Sequence, residues 1–263
     1  MKKIRIAYKY LIYLLKAKSK HTVHSPFVFD FMTKVLDDHT YYPEYEKVEQ
    51  QYQKLLHNRN RIETVDFGSS RGRIGYTTRF RSVKEIASHA GIPGRYGRLL
   101  FRIIRYFTPQ NILEMGTSVG ISAIYQASAA PQSRFMAIEG CASTAALAVE
   151  SLEAAGVKNV EILIGKFDLM LPKALEKLPT VDYAFIDGNH TYAATLQYFI
   201  ALLPKVNDNS IFIFHDICWS AGMEQAWAEI KQHPQVTLTI DLFFMGIVFF
   251  RKGMVPQHFI LRY

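Results

Sequence analysis

Leu113-Glu114-Met115-Gly116-Thr117-Ser118-Val119-Gly120-Ile121-Ser122 is the stretch on which the fold turns. An apolar run of strand length, Ile112 to Met115, meets a glycine turn, and a helix is expected to begin near Val119. Gly116 lets the backbone approach a ligand closely, and the helix N-terminus presents free N–H groups to an anion. Such a turn alone also fits an ordinary strand-to-helix connection. The next apolar run, Phe135-Met136-Ala137-Ile138, supplies the second element, because it ends in Glu139. A carboxylate at that strand end can accept hydrogen bonds from both ribose hydroxyls of a nucleoside. A dinucleotide fingerprint would need glycine where Ser118 and Ile121 stand, so hydride transfer is disfavoured.

Outward from this pair, strand and helix alternate. Ile112–Met115, Arg134–Glu139, Val160–Ile164, Val181–Asp187 and Ser210–His215 are short apolar runs separated by helical stretches. Right-handed crossovers and a parallel sheet covered on both faces follow. After a helix over Gly222–Lys231, the runs Val236–Ile240 and Phe243–Phe250 lie almost back to back and must form a hairpin. The predicted class is therefore α/β: a doubly wound, Rossmann-like, mostly parallel sheet with an antiparallel last strand, preceded by an N-terminal helical segment. Two regions are expected, 1–95 as a helical accessory segment and 96–263 as the ligand-binding domain.

In the accessory segment, Ile4, Ala7, Leu11, Leu14 and Leu15 recur at helical spacing among Lys3, Arg5, Lys9 and Lys16. This basic amphipathic helix suits packing against the main domain better than a membrane surface. Ser25-Pro26 signals a helix start, and helices are expected to run to about His57. Residues 58–82, with Gly68, Gly72 and Gly75 among six arginines, lack a sustained period and read as a basic loop, a substrate lid or plain surface. A second amphipathic helix spans Tyr96–Phe107 and stops at Thr108-Pro109.

The 263 residues carry 31 Lys and Arg against 23 Asp and Glu, a net charge of +8. Residues 1–29 contain no acid, seven bases lie between Lys2 and Lys20, and seven more between Arg59 and Lys84. Such patches suit an anionic substrate, acidic lipid or nucleic acid, or simply a solvated basic face. Two cysteines, Cys141 and Cys218, give no disulfide framework, and no signal peptide is read, so a cytoplasmic address is expected.

With these residues on view, the chain resembles the catechol and caffeoyl-coenzyme A O-methyltransferase branch of class I S-adenosylmethionine (SAM)-dependent methyltransferases. That branch's motif is Glu-x-Gly-x-x-x-Gly-x-Ser, matched by Glu114, Gly116, Gly120 and Ser122. The resemblance covers about 96–251 and takes in Asn159–Leu175 and Phe185-Ile186-Asp187-Gly188-Asn189-His190. His24-Ser25-Pro26-Phe27 looks like uncharacterised bacterial members. The resemblance implies that SAM is the cofactor, with Ser122 and the turn of Gly116, Thr117 and Ser118 on its methionine carboxylate. It places Glu139 on the ribose, and Phe167 and Asp168 on the adenine edge.

In that branch a metal-binding Asp ends the fourth strand, a catalytic Lys follows three residues later, and Asp-Asn ends the fifth. Here Asp187 fills the first place, His190 the second, and His215-Asp216 the third. His190 is the candidate general base. Asp187, His215 and Asp216 are either ligands of a divalent ion or a hydrogen-bonded floor for the acceptor. The expected reaction is O-methylation of a small hydroxylated acceptor. The alternatives are an RNA methyltransferase, which the missing Asn/Asp-Pro-Pro-Tyr/Phe signature disfavours, and a cofactor-binding protein without catalysis.

Overall fold

The computed structural model describes residues 2–67, 76–90, 92 and 94–263. The chain forms two compact units: Met1–Asp38 with Thr180–Tyr263, and His39–Pro179. The first unit opens with helices α1 (Lys2–Lys16) and α2 (Pro26–Phe31), the latter running into a π-helical turn over Met32–Leu36. Pro26 sits in the first turn of α2, where its missing N–H costs nothing.

The second unit begins with α3 (Glu44–His57), β1 (Arg61–Asp66), β2 (Thr77–Ser82), α4 (Val83–Ala90) and α5 (Gly94–Phe107). It continues through β3 (Asn111–Met115), α6 (Ile121–Ala129), β4 (Arg134–Glu139), α7 (Ala142–Ala154), β5 (Val160–Ile164) and α8 (Phe167–Lys177). β3, β4 and β5 pair in parallel in that order. Ile112, Leu113, Met115, Met136, Ala137 and Ile138 are all fully buried, as strands covered on both faces require.

Helix α5 buries Leu99, Leu100, Ile103 and Ile104 as one stripe. Its arginines are not simply solvated. Arg98 lies 5.1 Å over the Tyr45 ring and Arg105 5.5 Å over Tyr42, so their guanidinium groups cover aromatic faces. Gly97 permits the close approach of α6, because a methyl there would fall 2.4 Å from the Tyr125 ring.

The segment 58–82 departs from the expected loop. β1 and β2 pair antiparallel from Arg61–Ser82 to Asp66–Thr77, and the part between them, 68–75, falls outside the described residues. β-branched and aromatic residues alternate with arginine here (Thr64, Val65; Thr78, Phe80), a strand pattern masked in the sequence by its high charge.

The chain then returns to the first unit with β6 (Tyr183–Ile186), α9 (Tyr192–Leu202), β7 (Ile211–His215) and α10 (Ala221–Gln232). It ends with β8 (Leu238–Asp241), β9 (Met245–Phe249) and β10 (Gln257–Ile260). β6 and β7 are parallel, and β9 runs antiparallel to both β7 and β8, which is the expected hairpin. β10 is an addition, parallel to β8. Its apolar content is too low to stand out in sequence.

α1 docks within the first unit: Tyr13 donates its hydroxyl to the Leu261 carbonyl, Tyr10 and Tyr13 pack 5.0 and 5.4 Å from the Phe243 ring, and Lys9 pairs with Glu224. Lys18 bridges to Leu261 beside β10. The face that packs is thus Tyr10 and Tyr13. Ile4, Leu11 and Leu15 of the expected packing stripe are exposed.

Candidate active site

The second unit builds its site on the turn between β3 and α6. Gly116 and Gly120 take φ of 99° and 88°, and Ser118, a non-glycine residue, takes 49°. A left-handed conformation at Ser118 is sparsely populated and is held here by its surroundings. Gly120 is required twice over, since a methyl on it would meet the Ala148 backbone of α7 at 3.1 Å.

Glu139 ties this turn to α7. Its Oε2 accepts the Ser118 N–H at 2.7 Å, while Oε1 accepts the Cys141 N–H at 2.9 Å and the Thr144 hydroxyl at 3.1 Å. A carboxylate has about four acceptor positions, so these three leave one for a ligand hydroxyl, and a second only if a protein donor lets go. Glu114 lies beneath the turn, fully buried, where it accepts Thr117 Oγ1 at 3.0 Å and Gln126 Nε2 at 2.8 Å. Its geometry is that of a brace for the turn. Ser122 is buried in the first turn of α6, and Phe167 and Asp168 open α8 just after Gly165, whose N–H bonds the Glu139 carbonyl at 2.9 Å.

Thr144 and Gln126 were not read from sequence, and Phe67 was read only as part of the basic 58–82 segment. A hydroxyl one turn beyond an acid, and a lone amide on an otherwise apolar helix, were the available signals for the first two. Phe67 had none. It follows β1 and rests against Gly140, where an added methyl would meet its ring at 3.0 Å, with the Lys166 ammonium 5.4 Å from the ring centre. The ribbon is anchored beside it by the Val65 N–H, which bonds Cys141 Sγ at 3.3 Å.

The first unit gathers the four other expected residues. Asp187 and Asp216 follow the ends of β6 and β7, His215 ends β7, and His190 lies on the connection to α9. His215 Nδ1 is 2.9 Å from Asp187 Oδ1, and His190 Nε2 is 3.5 Å from the same oxygen and 3.9 Å from Asp216 Oδ2. Left-handed φ values at Asn189 (47°) and Asp216 (57°) turn the two connections. Burial pushes the His215 imidazolium down, but the adjacent Asp187 carboxylate outweighs it, and the group titrates at about 9. Asp187, for its part, is raised by burial and lowered further by His215 and His190, with a net value below the usual carboxylate range. At neutral pH the pair is therefore an imidazolium and a carboxylate.

Among the described residues no three His, Cys, Asp or Glu side chains are arranged to hold a metal. Two of the expected ligands, Asp187 and His215, bond each other through Oδ1 and Nδ1 at 2.9 Å.

Residues 113–217 match the family model described as a methyltransferase domain. A catechol O-methyltransferase of Mus musculus is 32% identical over 110 residues, which is 40% of this chain and 41% of that protein. The chain thus spans about two fifths of that curated relative's length. The O-methyltransferase of Bacillus cereus in complex with SAH aligns at a TM-score of 0.55 and 19% identity, covering 85% of this chain and 97% of that one. The O-methyltransferase TomG of Streptomyces achromogenes, involved in tomaymycin synthesis and in complex with SAM, aligns at 0.58 and 19%, covering 85% and 95%. The fold is the one these SAM- and SAH-bound enzymes share, α/β with mostly parallel strands and an antiparallel β9.

Proposed function

We propose that this chain is a SAM-dependent methyltransferase acting on a hydroxyl of a small acceptor. The observation that carries the reading is Glu139, whose carboxylate ties the left-handed turn at Ser118 to the start of α7 within the segment that matches a methyltransferase domain. On this reading Glu139 keeps an acceptor position for a ribose hydroxyl. The N–H groups of the Gly116–Gly120 turn and Ser122 receive the methionine carboxylate, and Phe167 and Asp168 flank the adenine. Glu114 and Thr117 support the turn from below. Bound SAM would supply a methyl group on a sulfonium, an electrophile that needs an aligned oxygen nucleophile.

His190 is assigned as the base that takes the acceptor proton on Nε2. Asp187 and Asp216, at 3.5 and 3.9 Å, are placed to stabilise the imidazolium so formed. His215, already protonated, cannot take a proton near neutral pH and serves as a fixed cation that orients Asp187. A mouse relative that is a catechol O-methyltransferase supports a small-molecule acceptor, and two free cysteines suit a reducing, cytoplasmic setting.

The test is calorimetry with SAM and with S-adenosylhomocysteine, followed by incubation of the protein with methyl-labelled SAM and fractionated cell extract. Label in a small-molecule fraction is expected. Label in RNA would replace the acceptor class, and cofactor binding without any transfer would leave a binding protein.

A further inference from the structure

We infer that the outward face of α1 is a docking surface for an acidic phospholipid membrane, a property separate from methyl transfer. Ile4, Tyr8, Leu11 and Leu15 are 75, 64, 60 and 87% exposed. At 100° per residue they fall within a band about 60° wide, with Tyr13, the buried contact of the helix, on the opposite side. The helix therefore spends one face on its own unit and leaves a continuous apolar stripe exposed among the described residues. Isolated exposed hydrophobic residues need no explanation, but four in register on one helix do.

Charge complementarity decides the occupant. Residues 1–29 hold no acid, while seven bases lie between Lys2 and Lys20. Lys9 and Lys20 are paired with Glu224 and Asp37, which leaves Arg5, Lys16 and Lys18 exposed along the helix and just after it. Arg5 also donates to the carbonyl of Trp219, whose indole is 42% exposed. Apolar side chains edged by cations, with a tyrosine on the stripe, match the depth profile of a bilayer surface: acyl chains, then the interfacial layer that favours aromatic rings, then anionic headgroups. No described helix is long and apolar enough to cross a membrane, and the 15-residue α1 would lie in the interfacial plane.

Sedimentation of the full chain with vesicles tests this directly. Vesicles of phosphatidylcholine and phosphatidylglycerol in equal parts should carry the protein down, and phosphatidylcholine alone should do so about tenfold less well. The double substitution Leu11→Glu and Leu15→Glu, at exposed positions that leave Tyr10 and Tyr13 in place, should cut binding to the anionic vesicles about tenfold or more with the melting temperature unchanged. Arg5→Glu with Lys16→Glu should do the same through charge. Equal sedimentation of the leucine variant and the unaltered chain would overturn the inference, as would no binding to anionic vesicles. A concentration-dependent dimer that the leucine substitutions abolish would assign the stripe to a second copy of the chain instead. Cofactor binding, measured in parallel, belongs to the other unit's residues and reports separately on the methyltransferase reading.

Discussion

His215 Nδ1 lies 2.9 Å from Asp187 Oδ1; His215 ends β7 and Asp187 directly follows β6, so the ion pair clamps the ends of adjacent parallel strands. Its pH dependence has a definite sign. The imidazole is raised from an ordinary 6.5 to about 9, so its contribution to stability is complete below 6.5 and lost as pH rises through about 9. The lowered Asp187 contributes above the ordinary carboxylate range and loses that contribution in acid. Melting curves of the unaltered chain should therefore fall between neutral pH and about pH 10 more steeply than those of His215→Asn. Parallel curves would show that the pair is not formed.

Turnover isolates the base. His190→Ala should lower kcat by about a hundredfold or more, with SAM affinity nearly constant, once the acceptor is known. The cationic His215 is not available as a substitute near neutral pH. Full turnover in the His190→Ala protein would remove the base assignment, and a hydroxyl acceptor ionised without help would be the simplest replacement.

Glu139 separates ligand binding from local order. Glu139→Gln keeps the shape and one acceptor oxygen but places a donor where Ser118 or Cys141 now donates, so SAM affinity should drop about tenfold or more. Glu139→Ala should lower the melting temperature as well, because three donors lose their acceptor. Calorimetry and thermal melts read the two effects. Unchanged affinity in both variants would place the nucleoside elsewhere.

Gly120 and Gly156 offer a matched pair. Both hold positive φ, 88° and 73°, but an added methyl meets the Ala148 backbone at Gly120 and nothing within 4 Å at Gly156. Gly156→Ala should therefore cost about 1 kcal/mol, the backbone term alone. Gly120→Ala should cost about 1–3 kcal/mol more and weaken SAM binding, because α6 must shift away from α7. Equal costs from chemical denaturation would mean that the α6–α7 approach is not tight.

The alternation of apolar runs with helical stretches determined the α/β class, because fully buried parallel strands need near-continuous hydrophobic sequence and periodicity is a local property of the chain. Gly116, Gly120 and Glu139 were legible for the same reason: a turn and a strand end are set by neighbours in sequence. Tertiary contacts decided the rest. Arginine-rich β1 and β2 form strands because they pair with each other and because Val65 bonds Cys141, which no local pattern announces. β10 forms because β8 offers it an edge. Sequence assigned Asp187, His215 and Asp216 equally to a metal site or a hydrogen-bonded floor; that His215 and Asp187 bond each other at 2.9 Å is a tertiary fact, since adjacent strands bring together residues 28 positions apart. The apolar period of α1 was visible in sequence, but which of its faces is buried was not. Tyr10 and Tyr13 won the inward side through Phe243 and Leu261, residues more than two hundred positions away.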